Sequence, residues 1–134
     1  MLREDGIVMD DGTTTRISQN HYHMTTTTAQ AANVLSHLEY YLQIVWPNLN
    51  VNVLSTTEQW AGAALAGPNS RNLLDKLFPE VDVSNEGLPF MGYKEGDLFG
   101  VPARIFRISF SGELAYEINA VSYTHLTLPT TPYV

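Results

Sequence analysis

The carboxylates whose placement could do chemistry are Asp10, Asp11 and Glu117. Asp10 and Asp11 sit side by side at the end of a short apolar run. Neighbouring strand residues point to opposite faces, so the two are not expected to form a dyad that shares a proton. At most one turns into a site, and the plain alternative is a pair of solvated turn acids. Glu117 lies between Tyr116 and Ile118 in the middle of an apolar-flanked strand. A carboxylate there faces either solvent or a pocket that uses it. Glu113, in the preceding turn, is expected to be solvated. His21 and His23 flank Tyr22 at strand spacing, so both imidazoles share a face and could hold a metal. Sequence fixes no third ligand beside them, and two exposed strand histidines is the simpler reading. The threonine runs 13–15 and 25–28 express β-propensity more than nucleophilicity. There is no serine in a nucleophile elbow, no phosphate-binding P-loop and no glycine-rich dinucleotide turn.

The elements that must position these groups can be read along the chain. Residues 6–11 predict a strand ending in a tight turn at Gly12. Residues 13–18 and 21–27 predict a hairpin that turns through Ser18, Gln19 and Asn20. Thr28 is expected to cap a helix. Ala31, Val34, Leu35, Leu38, Leu42 and Val45 then recur at helical spacing up to Pro47. Residues 50–57 and 59–66 predict two further strands. Gly67, Pro68, Asn69 and Ser70 open a second helix carrying Leu73, Leu74, Leu77 and Phe78, and Pro79 ends it. The glycine-rich stretch 80–100 reads as a connector, or as a lid. Residues 104–110 and 115–120 predict two strands joined by a turn at 111–114. The expected fold class is α+β, a mostly antiparallel sheet with two helices.

Composition narrows the function classes. The chain has 134 residues, 44% of them hydrophobic and 16% charged, enough to bury the core of one domain. Its net charge of −7 and the absence of a basic cluster argue against nucleic acid and against anionic membrane surfaces. The chain has no cysteine, which excludes disulfides and zinc–thiolate sites and fits a cytoplasmic location. No apolar run reaches the roughly 20 residues of a membrane span, and the N-terminus does not read as a signal peptide. From Val121 on, the last fourteen residues carry no Asp, Glu, Lys or Arg, but two prolines and four threonines. Residues 121–130 resemble the in-frame translation of a sequencing adapter. Residues 1–121 are therefore read as a partial domain and 122–134 as a non-native tail.

Three segments carry a resemblance to a known family. Residues 109–118, Ser-Phe-Ser-Gly-Glu-Leu-Ala-Tyr-Glu-Ile, resemble the S/T-G-E-x-G-Y/F-E-I signature of the folate-binding aminomethyltransferases, which include the glycine-cleavage T-protein. Gly6-Ile7-Val8-Met9-Asp10-Asp11 is similar to that family's G-V-I-D-D segment. Ala63 to Ser70 is similar to its strand-to-helix turn. The segments fall in the family's order and together cover residues 1–120. Within the family the likeness is greatest to the C-terminal region of heterotetrameric sarcosine oxidase α subunits. It is carried by residues 3–12, the threonine-rich strand 24–28 and Glu58-Gln59-Trp60-Ala61. Ala115 stands where the signature often has Gly, and Thr27 where the T-protein usually has Asn. Both departures bear on T-protein activity more than on folate binding.

The resemblance implies the aminomethyltransferase fold, incomplete here, and a tetrahydrofolate site. Glu117 would hold the pterin, because one ionised carboxylate can accept both the exocyclic amine and the adjacent ring N–H. Thr27 and Tyr116 are assigned to the same cofactor site. Asp11, with Asp10 as the alternative, would orient the acceptor nitrogens and serve proton transfer or charge stabilisation. The chain would then be a segment of a larger oxidoreductase and one-carbon transferase, which captures as 5,10-methylene-tetrahydrofolate the carbon released from sarcosine. Its partners would be the other sarcosine oxidase subunits and the remainder of its own chain. FAD, FMN and NAD are implied for that assembly only. The 134 residues alone are expected to be inactive and to expose apolar surface. Alternatives are a T-protein, a dimethylglycine-oxidising relative, or a non-catalytic folate-binding module.

Overall fold

The computed structural model describes residues 1–121. The predicted tail, 122–134, lies outside the described residues. Two compact units are present, Met1–Thr57 and one that begins at Glu58. Among the described residues the architecture is α+β, with two α-helices and antiparallel strand pairing.

In the first unit the predicted hairpin forms from β1 (Thr14–Ser18) and β2 (His21–Met24), with a register irregularity between Arg16 and Ser18. Past the ladder, the hairpin base is tied by hydroxyls. The Thr25 N–H donates to the Thr13 carbonyl at 2.9 Å, the Thr13 N–H to Thr25 Oγ1 at 3.1 Å, and the two hydroxyls lie 2.9 Å apart. Gly12 fits against this base only because it lacks a side chain. A Cβ there would run into the Thr25 carbonyl oxygen and lie 2.8 Å from its carbon. Gly12→Ala is therefore expected to destabilise the protein by about 1–3 kcal/mol, the range for forcing atoms into a packed site. Chemical denaturation measures this, and an unchanged midpoint would contradict the close approach.

The strand predicted at 6–11 is reduced to a single bridge, Leu2 to Val8. The chain folds back on itself instead. Arg3 donates its N–H to the Ile7 carbonyl at 3.0 Å, and the terminal amine donates to the Asp10 carbonyl at 2.7 Å. Helix α1 (Ala31–Tyr40) follows the predicted periodicity and buries Val34. It is entered through a 3₁₀ turn, Thr28–Gln30, and neither start carries a side-chain cap, so Thr28 does not cap it. It leaves through a π turn, Tyr41–Val45, closed by the Trp46 N–H on the Tyr41 carbonyl. Beyond it, residues 51–56 form no ladder, against the strand expected at 50–57. Alternating Val51 and Val53 suit a sheet, but a strand also needs a hydrogen-bonded neighbour, and none pairs with it among the described residues. Ile44, Trp46, Leu49 and Leu54 are exposed, as expected of apolar surface in this segment.

The second unit is a four-stranded antiparallel sheet in the order β3-β6-β5-β4. Its strands are β3 (Trp60–Ala66), β4 (Tyr93–Leu98), β5 (Val101–Phe106) and β6 (Ala115–Val121). Helix α2 (Ser70–Leu77) starts where predicted and packs Leu74, with Phe78 just beyond it, into the core. Val83, Leu88, Ala103, Ile105, Tyr116 and Ile118 complete that core. Each large apolar side chain buried in it contributes about 1.5–3 kcal/mol relative to exposure.

Two predicted boundaries are corrected. The connector expected at 80–100 contains β4. Its Gly96 reads as a breaker in sequence, but it is a packing glycine, since a Cβ would come 2.9 Å from Phe78 and 3.0 Å from Val81. The strand expected at 104–110 runs instead from 101 to 106, and Phe110 is fully exposed. β4 and β5 turn through Phe99 and Gly100, both at positive φ (54° and 90°), with Leu98 paired to Val101. That two-residue turn favours Asn-Gly, and an exposed Phe at left-handed φ is strained. Phe99→Asn is expected to raise stability by about 0.5–1 kcal/mol, read as a higher denaturation midpoint. A lower midpoint would mean that the ring makes a stabilising contact.

Candidate functional site

In the first unit, the hairpin base brings residues 10–13 beside residues 25–27. Asp10 is buried and spends both carboxylate oxygens on one residue. Oδ2 accepts the Thr27 N–H and Oδ1 the Thr27 hydroxyl, each at 2.9 Å. The structure thus joins two of the predicted site residues, Asp10 and Thr27. Asp11 lies on the exposed side. The neighbours diverge although no strand forms there: Asp10 turns inward to Thr27 and Asp11 is exposed. His21 and His23 lie across from Ser18 and Thr15. Among the described residues no three His, Cys, Asp or Glu side chains converge on a metal position.

In the second unit, alternation along β6 sorts the signature. Tyr116 and Ile118 point into the core, and Glu117 and Asn119 to the opposite face. Tyr116 is fully buried, and its phenol oxygen accepts the Arg71 Nε–H at 2.9 Å while Arg71 Nη2 donates to Asn85 at 2.7 Å. Its ring therefore anchors β6 to α2 on the side of the sheet away from Glu117. Glu117 is half-buried, opposite Ala64 on β3 and Phe106 on β5. Among the described residues, none donates a hydrogen bond to its carboxylate.

The rest of that face follows from register. Gly62 and Ala66 flank Ala64 on β3, so small side chains floor one side of Glu117. Toward the other end, the Arg104 guanidinium lies 4.2 Å from the centroid of the Trp60 ring and 3.8 Å from Glu95. Such a stack, partly withdrawn from water, is held by the ring quadrupole as well as by charge. Tyr93 donates its hydroxyl to Glu95, and its ring packs on Phe106 at 5.3 Å. Burial, with Glu95 as its neighbour, pushes the Tyr93 phenol up to about 12.

The signature's loop is built from its own side chains. The Gly112 N–H donates to Ser109 Oγ at 2.8 Å, and Gly112 sits at φ 94°, where glycine is favoured. Glu113 is fully exposed, and the Ser111 hydroxyl at 2.6 Å holds its carboxyl below the usual range. The Leu114 carbonyl accepts both the Gly67 N–H at 2.9 Å and the Ser70 hydroxyl at 3.1 Å. Two segments that sequence identifies separately are thus one structural unit. The Arg71–Tyr116 anchor, the Trp60–Arg104 stack and Asn119 escape sequence reading. The signal for Asn119 was its position two residues past Glu117, which fixes its face.

Comparison of the sequence with known proteins gives the family. The model of the GCVT N-terminal domain matches residues 1–128. The chain is 53% identical over 120 residues to the sarcosine oxidase subunit alpha of Rhizobium meliloti, in an alignment that takes in 88% of this chain and 12% of the relative. It is 49% identical over 124 residues to the same subunit of Corynebacterium strain P-1, covering 92% of this chain and 13% of that subunit. An aminomethyltransferase of Halothermothrix orenii is 30% identical over 118 residues, covering 88% of this chain and 31% of that enzyme. The chain thus spans only a small part of the curated relatives it matches. No helix among the described residues is long and apolar enough to cross a membrane. With a family model matching residues 1–128, nearly its whole length, the chain belongs to the GCVT N-terminal domain family.

Proposed function

We propose that this chain is the tetrahydrofolate-binding segment of a sarcosine oxidase α subunit, acting in the cytoplasm. In this reading it takes up the carbon released from sarcosine and yields 5,10-methylene-tetrahydrofolate. The observation that carries the reading is Glu117, a half-buried carboxylate in mid-strand with no protein donor among the described residues. Partly open to solvent and with no protein donor among the described residues, such a carboxylate is available to accept a ligand's N–H groups. The residues present fit a pterin, since a carboxylate takes two adjacent N–H donors and the small floor of Gly62, Ala64 and Ala66 leaves room for a flat ring. The roughly 50% identity to sarcosine oxidase α subunits favours that parent over an aminomethyltransferase at 30%.

Bound folate would supply the nitrogens that receive the carbon. Glu117 would orient the pterin by accepting its edge donors. Asp11, with its carboxylate outward, would hold or move a proton during transfer. Asp10 would act through Thr27, fixing the segment that follows β2. Tyr116 would serve by holding β6 in place from the core side. The remaining subunits, the rest of the α chain and its FAD, FMN and NAD belong to the same proposal. Titration of the full-length protein with tetrahydrofolate by calorimetry tests it. Binding supports the reading, and no binding to a folded, intact assembly would end it.

A further inference from the structure

Asn119 shares its face with Glu117, roughly 7 Å further along β6. It is half-buried, and among the described residues no hydrogen bond to its side-chain amide is found. Opposite it stands Gly62, where a Cβ would lie 3.2 Å from Asn119 Oδ1. The amide therefore leans over a position kept bare on β3. Arg104, its partner on β5, reaches across to Trp60 and closes that end of the face. Two half-buried polar side chains thus stand side by side over a floor of small residues. One can only accept hydrogen bonds when ionised, and the other can also donate.

That pair is complementary to one kind of ligand edge. A 2-amino-4-oxo pyrimidine-type ring presents an amine, a ring N–H and a carbonyl in a row. A carboxylate satisfies the first two, and the carbonyl then needs a donor beside it. We infer that Asn119 is a second ligand-contacting residue, whose amide N–H reads the ring carbonyl next to the donors taken by Glu117. This rests on the folate reading and extends it, because it makes recognition depend on the carbonyl as well as on the amine edge.

The test is calorimetric binding of an uncharged tetrahydropterin, lacking the glutamate tail, to the full-length protein. Asn119→Ala, Asn119→Asp, Gly62→Ala and Glu117→Gln are compared with the parent. Asn119→Ala is expected to lose about tenfold in affinity, one hydrogen bond's worth. Asn119→Asp is expected to lose more, since it keeps the shape but sets acceptor against acceptor. A side chain that merely fills space would order them the other way. Gly62→Ala, which crowds the amide without changing it, is expected to weaken binding as well. If Glu117→Gln weakens binding while Asn119→Asp binds as well as or better than Asn119→Ala, this inference fails and the folate reading stands. If Glu117→Gln changes nothing, Glu117 is not in the site and this inference fails with it. If the parent binds no tetrahydropterin, the folate reading itself fails.

Discussion

Glu117→Gln in the full-length protein is expected to weaken tetrahydrofolate binding by about 1–3 kcal/mol, roughly five- to 150-fold in Kd. The reason is the asymmetry of the two groups. A carboxylate can accept both neighbouring donors of a pterin edge, whereas a carboxamide accepts one and turns its own N–H₂ against the other. In the ligand-free protein the same substitution removes no hydrogen bond among the described residues. The melting temperature is therefore expected to stay within about a degree or two, as for other substitutions away from the packed core. Isothermal titration together with a thermal melt separates the two effects. Unchanged affinity would remove Glu117 from the site. A large fall in melting temperature would recast it as a structural residue.

The second large effect divides the neighbouring acids. Asp11→Asn is expected to slow one-carbon transfer by about 10²–10⁴-fold, the usual range for losing a proton-transfer group, with the fold unchanged. Asp10→Asn is expected to act on stability. Its two oxygens accept the Thr27 N–H and hydroxyl at 2.9 Å each, and an amide nitrogen at either place would face a donor. The cost should be about 1–3 kcal/mol of folding free energy, read by chemical denaturation, with transfer impaired only as far as the Thr27 segment loosens. Steady-state rates for both variants decide the matter. If Asp10→Asn abolishes transfer without loss of stability while Asp11→Asn is near normal, the roles assigned here are reversed.

How much of this was legible beforehand differs from element to element. Helix α1, the β1–β2 hairpin, β3, α2 and the β5–β6 pairing follow from local pattern, because period and turn chemistry are properties of short stretches. The strand expected at 50–57 and the connector expected at 80–100 failed for opposite reasons. Val51 and Val53 alternate correctly but have no pairing partner among the described residues. Gly96 looked like a breaker, yet its lack of a side chain is what lets β4 pass Phe78 and Val81. Pairing and close approach are non-local, so no window of sequence reports them.

For the site, sequence alone determined the family, the identity of its acids, and the rule that neighbours on a strand face apart. That rule fixes that Glu117 and Tyr116 lie on opposite faces of β6. Asp10 and Asp11 diverge as it predicts, although no strand forms there. Only the tertiary structure decided which member of each pair turns inward. The Thr13–Thr25 clasp delivers Thr27 to Asp10 and leaves Asp11 outside. The core under α2 claims Tyr116 through Arg71 and leaves Glu117, with Asn119 beside it, on the other face of the sheet. Alternation has a period but no absolute phase, and the phase is set by which side chains find burial and hydrogen-bond partners far along the chain.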